Sequence, residues 1–198
     1  MRPVALLVLL TACGGGRADA PEEQAVADTG AEGPVTPPPD TTYPAPRRGA
    51  LIARPALPGP LGGEWTATAG LCREPPTLHL VAAGDSVDLM ILLRSPSEGW
   101  TTGAYPVVSP DDTTEAARTA RIGVQRVSYV DQAYQGERGL VDLSRLDRLA
   151  SGRFDVVLRD LRSADTVRYL GAFHGIRVDS LPPGECQAAA RGIPPGVH

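Results

Sequence analysis

Three histidines, a serine in a Gly-Asp-Ser turn and a surplus of carboxylates are the side chains of this 198-residue sequence best equipped for catalysis or metal binding. A serine hydroxyl is a weak nucleophile until a neighbouring base takes its proton. His79 lies between Leu78 and Leu80, at a strand position that alternation assigns to the solvent face. It and His174 are the histidines of the folded region, and two histidines without a ligand spacing do not define a metal site. Asp155, Asp160 and Asp165 recur every five residues, unlike the alternating acidic ligands of a calcium loop. Carboxylate pairs of the kind that cleave glycosides cannot be singled out among so many acids, which read as solvated strand faces and turns. No catalytic set, metal set or cofactor motif emerges. Trp100 is the one candidate contact residue: it precedes Thr101-Thr102-Gly103 in a polar loop, where an amphipathic ring is placed to bind.

The most specific pattern stands at the start of the chain. Arg2 precedes an apolar run from Val4 to Leu10, followed by Thr11, Ala12 and Cys13. Seven apolar residues fall far short of the roughly 20 that span a bilayer, but they suit the core of a secretory signal. Leu10-Thr11-Ala12-Cys13 resembles the lipobox of bacterial lipoprotein signal peptides. The resemblance implies cleavage before Cys13, diacylation of its sulfur and acylation of the new amino terminus. One acyl chain binds a membrane marginally, at about 0.8 kcal/mol per buried methylene, and two or more bind it stably. Cys13 would then hold the protein to a membrane of the cell envelope without a transmembrane helix. In lipoproteins of this kind an Asp after the Cys retains the protein at the inner membrane. Gly14 stands there, so the resemblance favours the outer membrane.

A second resemblance is narrower. Gly84-Asp85-Ser86 resembles the first motif block of GDS-type serine hydrolases, whose nucleophile sits between a strand and a helix and whose base comes from a late Asp-x-x-His. Here the turn leads from one strand pattern into another, and no Asp lies three residues before His79, His174 or His198. The resemblance ends at the tripeptide.

With Cys13 assigned to lipid, Cys72 and Cys186 form an even pair in an exported chain, which predicts a disulfide. Neither belongs to a CxxC pair, so half a zinc site is the poorer reading. The balance of 19 basic against 23 acidic residues contains no basic tract, and nucleic acid is not an indicated partner.

Residues 1–12 therefore read as signal peptide. From 13 to 60 the chain reads as a disordered tether, with Pro37-Pro38-Pro39 and few large apolar residues. Such a segment buries too little surface to offset its ordering entropy, and as a coil it reaches roughly 35–40 Å. From 61 to 186 the pattern is period two. Strands are predicted around Trp65–Cys72, Thr77–Val81, Val87–Arg94, Gly103–Val108, Ala120–Val124 with a continuation over Val127–Val130, Leu140–Leu143, Gly152–Arg159 and Thr166–Val178. Tyr134–Gly139 is expected to be loop and 187–198 a flexible tail. Val87–Arg94 is the strongest case, and its apolar Met90 and Leu92 on the second face suggest cover on both sides. Gly-x-aromatic recurs at Gly103/Tyr105, Gly152/Phe154 and Gly171/Phe173, where a glycine eases a bend or a ring overhead. These features predict an all-β fold, an antiparallel sandwich or barrel of about eight strands. The functional expectation is a non-enzymatic, membrane-anchored binding domain, preferably a sandwich, whose partner is an envelope protein or glycan. A barrel carrying a small apolar ligand is the alternative, and a hydrolase the weakest reading.

Overall fold

Val87–Arg94 is part of a wall that closes on itself. The computed structural model describes residues 46–56, 61–96, 99–109, 112, 118–126 and 132–190. They form strands β1 (Ala50–Pro55), β2 (Gly63–Cys72), β3 (Thr77–Ala83), β4 (Val87–Arg94), β5 (Gly103–Pro106), β6 (Thr119–Arg126), β7 (Gln132–Leu146), β8 (Leu149–Asp160) and β9 (Thr166–Ser180), then helix α1 (Pro183–Ala190). In β4, Val87, Leu89, Ile91 and Leu93 are at most 3% exposed, whereas Asp88, Met90 and Leu92 are half-buried. Period two sends the first set inward and the second outward. β3 and β4 make the expected hairpin, with Leu80 opposite Ile91, closed by the Gly84 N–H donating to the Val87 carbonyl.

Pairing spreads from this hairpin in both directions and meets itself. The ring runs β4–β6–β7–β8–β9–β1–β2–β3, antiparallel at every step. The domain is thus a closed eight-stranded barrel with β5 as an additional strand. It is all-β as expected, and closed rather than a sandwich of two sheets. The apolar outer positions of β4 belong to a barrel wall and are only half covered. β1 separates β2 from β9 near Ala50–Ala53; past its start the two pair directly in parallel, from Ala69↔Val178 to Leu71↔Ser180. β5 joins β7 at that same end, with Gly103 opposite Leu143. One short strand drops out where another enters.

Eight strands leave an interior that side chains can just fill, or that holds one small ligand. Here Leu51, Leu78, Leu80, Ile122, Phe154 and Phe173 belong to one continuous apolar cluster lining it. Two of the Gly-x-aromatic pairs interlock. Gly152 faces Phe173 and Gly171 faces Phe154 across β8 and β9, and each phenyl ring occupies the space a side chain on the opposing glycine would need. The Tyr169 hydroxyl donates to the Leu61 carbonyl at 2.9 Å and so anchors the loop before β2 from within; burial pushes its pKa well above the usual tyrosine range.

Three boundaries differ from expectation. β1 lies inside the stretch read as tether, so the folded domain begins before residue 61. Its Ala50-Leu51-Ile52-Ala53 core is at most 7% exposed on both faces, a continuous apolar run that carries no period-two signal. Tyr134–Gly139, read as loop, is part of β7 and pairs with both β6 and β8 across an irregularity between Gly136 and Arg138. Helix α1 extends past 186 into the expected tail. Residues 1–45, including the signal and Cys13, lie outside the described residues, as do Val127–Val130 and 191–198.

Candidate functional site

Ser86 sits exposed in the β3–β4 turn, and strand follows strand as the sequence indicated. Among the described residues its hydroxyl makes no hydrogen bond to a histidine or a carboxylate. His174 is exposed on β9 opposite Ala50. Among the described residues no three His, Cys, Asp or Glu side chains gather as metal ligands do. The spaced aspartates have structural work: Asp155 pairs with Arg168 through both oxygens, and Asp160 accepts from the Arg162 and Ser163 amides in the β8–β9 turn. Trp100 is half-buried with its ring 6.5 Å from Tyr105, packed against the core rather than standing free at a loop tip.

His79 departs from expectation. By parity it points outward from β3, yet it is 2% exposed. It stands opposite Gly70 of β2, and the Leu181 side chain lies across Gly70. Leu181 donates its amide to the Leu71 carbonyl, and Cys186 is bonded to Cys72, with Cα atoms 5.7 Å apart. The Leu181–Cys186 segment is thereby pinned over this part of the wall, and the expected disulfide is its fastening. His79 Nε2 shares a 2.9 Å hydrogen bond with the Thr77 hydroxyl, while Nδ1 is buried with no partner. Desolvation lowers its pKa below 6.5, because a charged ring here loses water and gains no acceptor for its second proton.

This sets a pH dependence. Between the lowered folded value and 6.5 the unfolded chain holds a proton that the folded chain does not. Stability from this group is therefore full above pH 6.5 and falls as pH drops through that window. The slope is at most about 1.4 kcal/mol per pH unit. Denaturation of wild type and His79→Leu between pH 7.5 and about 5 should show that component in wild type alone; equal slopes would refute it.

Among the described residues, a cleft opens where β1 begins. It has a volume of about 1090 Å³ and is lined from four segments: Arg48 and Gly49 before β1, Thr66 and Ala67 of β2, the β7–β8 turn with Arg145, Asp147, Arg148 and Leu149, and Gly175, Arg177, Val178 and Asp179 of β9. The Arg48 stem lies against Gly175, whose φ of +59° suits glycine. Arg145 holds Asp147 at 2.8 Å, and Asp147 also accepts from the Leu149 amide at 2.7 Å. Arg145 first, then Leu149, keeps the Asp147 carboxyl below its usual pKa. Arg177 pairs with Asp179 at 3.0 Å. Arg48 and Arg148 have no carboxylate partner among the described residues. Four guanidiniums against two carboxylates make the lining net positive by two (4 − 2), in a chain of net charge −4.

No sequence motif joined these four arginines, since Arg48 stands far before Arg145 and Arg148, Arg177 well after them, and no basic run connects the three places. The local signals were the Arg47-Arg48 pair and the Arg-x-Asp-Arg string at Arg145–Arg148, ordinary charged stretches until the barrel brings Arg48 and Arg177 beside that turn. Comparison with known proteins finds no match among family profiles, curated proteins or solved structures.

Proposed function

We propose that this chain is a lipid-anchored protein of the cell envelope that displays a β-barrel as a non-enzymatic interaction module. The observation that carries the reading is the closed wall around an apolar interior lined by one continuous cluster. With the inward face of every strand committed to that cluster, recognition passes to the outer wall and to the cleft at the start of β1. The anchor rests on the Leu10-Thr11-Ala12-Cys13 resemblance, and Gly14 supports the outer membrane over the inner.

The second reading, carriage of a small apolar molecule, is favoured by closure itself, since eight-stranded barrels also hold single ligands. Two measurements on the full chain separate these claims. Wild type is expected in the membrane fraction and Cys13→Ala in the soluble one; a variant that still sediments with membranes refutes the anchor. Native mass spectrometry after exposure to an envelope extract should return the chain without a retained apolar molecule. A discrete added mass of a few hundred daltons that survives dilution would replace the interaction module with the carrier.

A further inference from the structure

We propose that the cleft formed by Arg48, Arg145, Arg148 and Arg177 binds a phosphate monoester. This deepens the interaction reading by naming the chemistry its site accepts. Three observations converge on it. The lining is net positive by two, while the chain as a whole is negative; a phosphate monoester carries between one and a half and two negative charges near neutral pH. Every basic side chain of this sequence other than histidine is Arg, so the cleft presents guanidiniums, whose planar fork offers paired N–H donors to adjacent phosphate oxygens. They are also arranged in two tiers. Arg145 and Arg177 are held by Asp147 and Asp179, while Arg48 and Arg148 keep their donors uncommitted among the described residues.

The backbone supports this placement. Arg48 is fixed at its root, where the Gly49 amide donates to the His174 carbonyl and the Gly49 carbonyl accepts from Ala67. Arg148 is fixed from β9, its carbonyl accepting from the Val178 amide at 3.1 Å. Both arginines thus project from backbone tied into the barrel wall, which lowers the ordering cost of binding. A volume of about 1090 Å³ exceeds what a bare ion occupies and leaves room for the organic group that carries the phosphate. A carboxylate is the weaker fit, having one charge and two oxygens for a site with two uncommitted forks.

The test uses the full chain in a non-ionic detergent, so that binding is read whether or not Cys13 carries lipid. Glycerol 3-phosphate is titrated while the arginine Nε–Hε resonances are followed by NMR, with glycerol as the uncharged control. The expected result is saturable movement of the Arg48 and Arg148 signals with a Kd of about 1 mM, weakening as salt is added. In the Arg48→Gln/Arg148→Gln variant, followed through the remaining Arg145 and Arg177 signals of the cleft, the Kd should rise about ten-fold or more. Arg153→Gln, whose arginine pairs with Asp142 outside the cleft, should stay within about two-fold of wild type. Both cleft arginines are exposed, and an unchanged amide spectrum elsewhere will show that the variant keeps its fold. Absence of saturation, equal response to glycerol, or equal loss in Arg153→Gln would overturn the proposal and leave the anchor untouched. Flotation of the Cys13→Ala chain, which lacks the anchor, with detergent-free phosphatidylcholine vesicles with and without phosphatidic acid then identifies the source. Arginine-dependent flotation assigns a lipid headgroup, and binding of glycerol 3-phosphate alone assigns a soluble ester.

Discussion

Replacing Cys72 and Cys186 with Ala is expected to lower the unfolding free energy by about 4–5 kcal/mol. The bond spans a sequence separation of 114 residues, and a crosslink over so long a loop removes much of the freedom of the unfolded chain. A loss of this size is a large part of the stability of an ordinary domain. The native state contributes a second, local effect. Besides the disulfide, the segment after β9 is held to the wall by the Leu181 amide on the Leu71 carbonyl and by its contact with Gly70. Severing Cys72–Cys186 should therefore let α1 detach before the barrel opens. That would hydrate His79, move its pKa up toward 6.5 and flatten the pH dependence derived above. Urea denaturation of wild type, reduced wild type and the double-Ala protein measures the first effect, and NMR titration of His79 the second. A loss under about 1 kcal/mol would show that the crosslink adds little beyond native strain. An unmoved His79 would show that α1 stays down without its fastening.

The elements that could be read from the sequence were those whose two faces differ. β4 shows the rule: its inward Val87, Leu89, Ile91 and Leu93 alternate with side chains that meet solvent at least partly. β8 behaves alike, with Phe154, Val156 and Leu158 inside. β1 escaped notice because burial on both faces erases alternation and Pro55 closes the run. Tyr134–Gly139 looked like loop because Gly136 and Gly139 interrupt it, yet glycine is what that strand needs. A side chain at Gly136 would meet Val107 and Ile122, and Gly139 has φ +129° against the β8 backbone. Alternation puts His79 on the correct face but is silent about its surroundings, since Leu181, which lies across the opposing Gly70, comes from far along the chain. Sandwich and barrel share one strand pattern and differ only in whether the outermost strands find each other. That choice rests on β9 meeting both β1 and β8. The arginine cleft was illegible for the same reason: charge clusters made by closure leave no tract in the sequence.

The interlocked glycines and rings of β8 and β9 give the second large effect. Phe154 is 3% exposed and Phe173 1%; Phe154 also tilts against Tyr169, with ring centroids 5.9 Å apart. Phe154→Ala removes a ring that fills the space above Gly171, where a glycine cannot refill it. The expected cost is about 3–5 kcal/mol. Gly171→Ala approaches the same site from the other side. Its new Cβ would run into the Phe154 ring and also into the Ile52 carbonyl oxygen of β1, and the ring can shift more readily than the backbone. Overpacking of this kind costs about 1–3 kcal/mol, and the carbonyl contact puts Gly171→Ala at the upper end. Combining the two changes should cost less than their sum, because removing the ring relieves one of the two collisions and the new methyl fills part of the void. Gly123→Ala is the control: it lies in β6 with open space where the Cβ would go, and should be neutral or stabilising by about 0.4–1 kcal/mol. Denaturation of the four variants closes the comparison. A harmless Gly171→Ala, or strict additivity with Phe154→Ala, would mean that the glycines serve strand curvature alone and the rings do not need them. Sub-additive losses would establish the ring-over-glycine contact as the device that lets β8, β9 and β1 close the barrel.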